Sequence, residues 1–577
     1  MPDYDLIIRG GSLHDGLGSP ARTADVAIKD GCVAAIGTVT GTAAETIDAT
    51  GLLVTPGFVD VHTHYDGQAT WSQRLQPSSS HGVTSVVMGN CGVGFAPCKP
   101  AERNLLVEVM EGVEDVPEVV MAEGLPWNWE TFPDYLDALA DRQFDVDVAA
   151  QLPHSALRVY VMGARAATGE APTADDLATM RRLTAEAVRA GAIGVSTSRN
   201  LMHRTKAGEL APSLHSDEAE LQALADGLKD AGGGVFQIIP APMGDAASEF
   251  ALMRRLVERS GRPLSYSLIQ MPTGDRAAWQ TSLAALSDAA AAGLPMRAQV
   301  APRPVGMFYG LDLSFHPFAY HPSYKAIRHL PLAARVAAMR DPAMRARLLA
   351  EQPEDTNPVN LKTVKSFQYS YAWQDQADYE PDLSQRLDRL ADAAGQSIEA
   401  FSYDLLLADE GRAMFYQPGA NYRDGNLDAV RAMLTHPQAV VGLADGGAHY
   451  GMICDASFPT WFLARWARDA APDQRLPLPQ AIAALTSVPA ELAGLSDRGR
   501  LVVGAKADVN VIDLARLTVR APTVVHDLPA GGRRMHQAAD GIVATLVAGT
   551  VTYRDGQATG ALPGRLVRRT QAATTGA

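Results

Sequence analysis

The sequence predicts an α/β fold, a (β/α)8 barrel with a small β domain built from both chain ends. Three observations lead there. Short apolar runs alternate with helix-patterned stretches through the middle of the chain, as βα units around a parallel sheet do. Eight such runs can be counted, and both ends of the chain carry shorter β-type runs punctuated by Gly, Asp and Ser.

At the N-terminal end the runs are Tyr4–Gly10, Asp25–Gly31 and Val33–Gly37, and the same texture returns at Ala507–Asp513 and Ile542–Tyr553. Residues 1–55 and 499–577 are therefore assigned to the small domain and 56–498 to the barrel. The polar tail from Arg568 to Ala577 is expected to fray.

The eight barrel strands are expected at Val54–His64, Val83–Cys91, Asp145–His154, Ala192–Ser198, Gly234–Pro240, Leu264–Gln270, Met296–Arg303 and Ala439–Asp445. Helices are expected between them, including Ala174–Ala190 and Asp217–Ala231. In such barrels the chemistry sits at the C-terminal strand ends, and His62, His64, Cys91, His154 and Asp445 all fall there. A long insertion, about 306–437, separates the seventh and eighth strands. It holds helical stretches at Leu330–Glu351 and Ile398–Gly411 and an aromatic loop, Phe367–Trp373. An insertion on this face shapes or covers a substrate pocket.

Composition narrows the function classes. With 577 residues, 47% hydrophobic and 20% charged, the chain is globular, with one large domain and a small companion. A formal charge of −15 argues against a nucleic-acid partner and leaves a small molecule as the better fit. Four cysteines are too few for a disulfide framework, which favours a reducing compartment. Neither a signal-peptide pattern nor an 18-residue apolar run is visible, so a cytoplasmic protein with no membrane partner is expected, and a homo-oligomer stays open.

The first strand carries the sharpest chemical signal. Successive side chains of a strand face opposite ways, so His62 and His64, two apart, point to one side and can share a metal ion. Pro56 and Gly57 open the run, and Asp60 and Asp66 flank the pair.

Several blocks together resemble the metal-dependent amidohydrolase superfamily, and within it the N-acyl-D-amino-acid deacylase (D-aminoacylase) branch. The first-strand block Pro56–His64 and the second-strand block His81–Gly94 are similar to that branch's motifs. So are Met110–Pro117, His154–Arg158, Gly191–Thr197, Gly442–Gly446 and Gly504–Val509. The resemblance implies a distorted TIM barrel with a β-sandwich from both termini and a zinc centre at the barrel mouth. It implies His62, His64, Cys91 and Asp445 as the residues serving the metal, with Asp445 also as the catalytic proton shuttle. The residue types agree, because imidazole and thiolate suit Zn2+, which lowers the pKa of a bound water to about 7.

One departure stands out. Where close D-aminoacylases place metal-binding histidines on the fifth and sixth strands, this chain has Gln237 and Gln270. A glutamine amide is a poor zinc ligand, so one Zn2+ ion is expected rather than two, other divalent metals being open. Otherwise His154, His203, His215 or His449 substitutes as a ligand. Gln237, Gln270, His154 and His449 are candidates for substrate contact, and Arg199 and Arg303 for pairing with a substrate carboxylate. The expected activity is hydrolysis of a linear amide, an N-acyl-(D-)amino acid, by a metal-activated water. Alternatives are a cyclic amide, carbamate or aryl amide, which the aromatic insertion would suit, and a noncatalytic binding protein on the same scaffold.

Overall fold

The computed structural model describes residues 2–373 and 377–569. Eight parallel strands pair in chain order: β1 (Phe58–Asp60), β2 (Val83–Met88), β3 (Asp147–Pro153), β4 (Gly194–Ser198), β5 (Val235–Ile239), β6 (Leu264–Ser267), β7 (Met296–Val300) and β8 (Ala439–Val441). All eight expected strands are present. The ladder is not continued between β8 and β1. There, among the described residues, the ring is drawn together beyond the strand ends by a single bridge, Thr63 to Gly446. The barrel is distorted at that seam.

β8 is shorter than the expected Ala439–Asp445 because Leu443 and Asp445 adopt left-handed backbone, φ +62° and +47°, which no strand accommodates. β3 stops at Pro153, and a helix, His154–Met162, starts at once. The helix expected over Ala174–Ala190 has those bounds, with Thr173 and Asp176 forming a capping box. The stretch Leu330–Glu351 instead forms two helices, Leu332–Met339 and Pro342–Ala350. Pro342 cannot donate within a helix, and the Asp341 carboxylate accepts the freed N–H groups of Ala343 and Met344.

Both chain ends join one nine-stranded sheet. Its first strand, Tyr4–Leu13, changes partner midway, running parallel first to Ala43–Asp48 and then to Leu53–Pro56. The change occurs at Gly10–Gly11, where a Cβ on Gly11 would come within 2.4 Å of Val54. Leu53–Pro56 pairs on its other side with Val509–Ile512 from the far end of the chain. The strand that leads into β1 is thus held from both termini. Leu6, Ile8, Val26, Val54, Val509 and Leu546 belong to the core of this domain.

The insertion contains a three-stranded antiparallel sheet, Val305–Tyr309, Phe415–Ala420 and Tyr371–Ala372, with helices around a core of its own. Its aromatic residues Phe308, Trp373, Tyr379 and Tyr416 pack on one another, with ring centroids 4.8 to 5.4 Å apart. These four rings form interior structure, whereas Tyr369 of the loop Phe367–Trp373 is 48% exposed.

The C-terminal segment stays ordered further than expected. Val567 N–H donates to Val148 at 2.7 Å and Arg569 N–H to Gly191 at 2.9 Å, so Arg568 and Arg569 are fastened to the barrel. The rest of the tail, 570–577, lies outside the described residues. Among the described residues no helix is long and apolar enough to cross a membrane.

Candidate metal centre

The site forms where the barrel closes. His62 and His64 follow β1, and their backbone bonds across the seam: Asp445 N–H donates to the His62 carbonyl at 3.1 Å, and His64 N–H to the Gly446 carbonyl at 2.7 Å. Gly447 permits this approach, since a Cβ there would lie 2.9 Å from the His64 backbone. On the other side, Thr63 N–H donates to Val87 at 3.0 Å. The histidine pair is pinned between β2 and the loop after β8.

Cys91 arrives from β2 in a left-handed conformation, φ +56°. The preceding Asn90 donates to the carbonyls of Thr63 and Val87 and accepts from Gln151. The Cys91 N–H is taken by Gln237 Oε1 at 3.2 Å. Left-handed non-glycine residues persist only where their surroundings fix them, and they gather at functional sites. Cys91, Asp445 and His449 are three of them.

Donor atoms of His62, His64 and Cys91 lie within 4.8 Å of one another, all buried. Cys91 Sγ is 3.3 Å from His62 Nε2. Asp445 Oδ1 is 3.3 Å from His62 Nε2 and 3.5 Å from His64 Nε2, and its side chain is 24% exposed, so the carboxylate looks out of the mouth. The His62 ring is fixed by Gln299 on β7: Nδ1 lies 2.7 Å from Gln299 Oε1, while the Gln299 amide nitrogen is committed to Ser265. That network makes Nδ1 the donor and leaves Nε2 free as a ligand atom.

The electrostatics favour a cation. Burial pushes His62 down to about 4. Burial also opposes charge on His64, but Glu114, Cys91 and Asp445 around it outweigh this and raise its pKa well above the usual value. Loss of hydration opposes charge on Asp445 as well, yet its contacts with His64 and His62 hold its carboxyl well below the usual range. Burial drives Cys91 up to about 12, so a thiolate there requires a cation beside it. Both ring nitrogens of His64 and Asp445 Oδ1 are buried without hydrogen-bond partners. Two imidazoles, a thiol and a carboxylate with unspent lone pairs are the donor set of a zinc-type ion.

The remaining sequence-derived candidates fall in different places. His449, 20% exposed at its side chain, stands on the Asp445 loop beside Glu114. His203 feels the charges of His449, His64, Asp445 and His62, so it borders the same centre, and burial pushes it down to about 3. Gln237 faces Cys91, and its Nε2 is buried and unpartnered. Gln270 is drawn away: its Nε2 donates to Asp424 at 2.9 Å and its Oε1 accepts from Arg423, both in the insertion. His154 lies between Thr197 and Glu220, each at 2.8 Å, with both ring nitrogens spent. His215 is half-buried in the environment of Arg158 and Glu220. Arg199 forms a bidentate pair with Glu249 at 2.8 and 2.9 Å. Arg303 is buried against Asp455, Ser457 and the Cys454 carbonyl, with its guanidinium 4.0 Å from the Tyr379 ring centroid. Neither arginine offers a fork to a substrate carboxylate, because each is already neutralised by the fold.

Two residues beside the metal cluster were not singled out from sequence, Gln299 and Glu114. Gln299 looked like one polar position on an ordinary strand. Glu114 had two signals: it lies in the Met110–Pro117 block that resembles the deacylase branch, and it falls four residues after Met110, on the apolar stripe of its helix, where an acid is out of place.

A sequence profile described as "Amidohydrolase family" matches residues 45–553. The N-acyl-D-glutamate deacylase of Alcaligenes xylosoxydans xylosoxydans is 30% identical, with 98% of this chain and 96% of that protein aligned. The D-aminoacylase of the same organism is 40% identical over 34% of this chain, a segment spanning 37% of that relative. Among solved structures, N-acyl-D-glutamate deacylase from Bordetella bronchiseptica, complexed with zinc and a phosphonate inhibitor, superposes with a TM-score of 0.65 at 24% identity. It covers 98% of this chain and 100% of its own.

Proposed function

The chain belongs to the amidohydrolase family and is a metal-dependent hydrolase of carbon–nitrogen bonds other than peptide bonds, and on that premise we propose that it deacylates N-acyl-D-amino acids. The observation that carries the site assignment is the His62–His64–Cys91 cluster with Asp445 stitched to it across the barrel seam. The substrate class rests on the deacylase relatives.

His62, His64, Cys91 and Asp445 would hold one ion. When bound, such an ion supplies Lewis-acid polarisation of the scissile carbonyl and a more acidic water. Asp445, ionised and partly exposed, accepts the proton of the attacking water and returns it to the departing nitrogen. Gln237 fixes Cys91 through its amide oxygen, and its free amide N–H donates to the substrate carbonyl. His449 and His203, at the mouth, are the imidazoles available to the substrate carboxylate. Gln237 and Gln270 support the reading of a single ion: neither brings an imidazole to the ends of β5 and β6, and Gln270 is tied to the insertion.

The test is a substrate panel. Purified protein is assayed on N-acyl-D- and N-acyl-L-amino acids, aryl amides and cyclic amides, with appearance of the free amine followed. Preference for an N-acyl-D-amino acid supports the proposal; turnover confined to aryl or cyclic amides contradicts it.

A further inference from the structure

Glu114 is a buried carboxylate that the reaction above does not use. It ends the helix Arg103–Glu114 and is 1% exposed. Its Oε1 lies 3.5 Å from His64 Nδ1 and its Oε2 3.3 Å from His449 Nε2. Its backbone carbonyl also accepts the His449 N–H. A carboxylate at that depth is expensive unless it has cationic or donor partners, and the partners it has are two imidazoles of the candidate centre.

The surroundings hold Glu114 in place from three directions. Gly112, two residues earlier, lies so close to the backbone of residues 204–206 that a Cβ would come within 2.2 Å. Asp115, in left-handed backbone at φ +51°, accepts from Ser314 Oγ at 2.6 Å and from Gly451 N–H at 3.2 Å. Ser314 N–H in turn donates to Gly451 at 3.0 Å, and Phe308 N–H to Met452 at 2.7 Å. The helix end, the insertion and the loop after Asp445 are thus fastened together. His449, at φ +50°, owes its unusual backbone to this clamp.

The geometry points to Glu114 as a positioning residue of the metal centre. Its Oε1 faces His64 Nδ1 at 3.5 Å, an ion-pair contact that favours the proton on Nδ1 and leaves Nε2 available to a cation. With its other oxygen it sets His449 at the mouth. Ligand histidines are commonly oriented in this way by a carboxylate on the far ring nitrogen, and losing such a partner weakens metal binding by about 10- to 100-fold. The assignment rests on the metal-dependent reading of the site.

The decisive measurement is zinc affinity by chelator competition, on wild type and on Glu114→Gln, which keeps the shape and removes the charge. A variant that binds zinc about 10- to 100-fold more weakly, with Glu114→Asp recovering part of the loss, supports the assignment. Wild-type affinity in Glu114→Gln overturns it, and so does complete loss of binding, which would make Glu114 a ligand. If Glu114→Gln does not fold, Glu114→Asp decides alone: weaker binding than wild type supports the role and equal binding overturns it. A wild type that takes up no metal would instead sink the metal-dependent reading, together with this inference.

Discussion

Asp445 meets His62 twice: its backbone N–H donates to the His62 carbonyl at 3.1 Å, and its Oδ1 lies 3.3 Å from His62 Nε2. The same two residues close the barrel and compose its site. Because β8 and β1 share no continuous ladder, loss of order at this seam would separate Asp445, the proposed proton shuttle, from the histidines in one step.

Asp445→Asn keeps the side-chain shape and the backbone bond but cannot take a proton. Turnover should fall by about 10²- to 10⁴-fold, while metal content at saturating zinc stays near the wild-type level because His62, His64 and Cys91 remain, although the affinity is lower for the lost carboxylate. Rate and metal content measured on the same sample check this. A fully active variant would remove Asp445 from the proton-transfer role.

Gln299→Leu removes the acceptor for His62 Nδ1–H while preserving bulk. The ring is then free to turn or change tautomer, and zinc affinity should drop by about 10- to 100-fold. Chelator competition reads it directly, and unchanged affinity would show that packing alone orients His62.

Gly447→Ala and Gly395→Ala separate backbone strain from crowding. Both glycines are left-handed, at φ +88° and +65°, but a Cβ on Gly395 meets open space whereas one on Gly447 meets His64. The strain, about 1 kcal/mol, is common to both. Gly447→Ala should cost about 1–3 kcal/mol more through the collision. Urea unfolding of the two variants tests the difference, and equal losses would contradict the close approach.

Acid sensitivity should come partly from His81 and His316, both away from the metal cluster. Burial is the main cause that pushes each down to about 3 from 6.5. His81 is held between Thr460 Oγ1 and the Gln537 carbonyl, both at 2.8 Å. Below 6.5 the unfolded chain takes up protons that the folded rings refuse until about 3. Stability is therefore fully present above 6.5 and lost as pH falls through that window, by up to about 1.4 kcal/mol per pH unit for each ring. Urea midpoints at pH 7.5, 6.5 and 5.5 should decline, with a shallower decline in His81→Gln. A flat or rising series would contradict the sign.

Much of this was legible in the chain because local rules decide it. All eight strands announced themselves as apolar runs, and His62 and His64 share a face because of strand period alone. What was not legible depends on long-range partners. Arg199 and Arg303 sit after barrel strands as a carboxylate receptor would, but Glu249 and Asp455, far off in sequence, neutralise them. Gln270 looked like a site residue until the insertion brought Asp424 to it. Glu114 and Gln299 gained their places only through contacts with residues 50 or more positions away. The end of β8 is not legible in the sequence because its left-handed backbone falls on Leu443 and Asp445, neither of them glycine.

The central claim is that one metal ion on His62, His64, Cys91 and Asp445 drives hydrolysis. Metal analysis of purified protein, joined to an activity assay after chelation and zinc readdition, tests it most directly. The account predicts about one equivalent of metal per chain, activity lost with the metal and restored by it, and neither uptake nor rescue when His62 and His64 are both replaced by Asn. Undiminished activity in metal-stripped protein would contradict it.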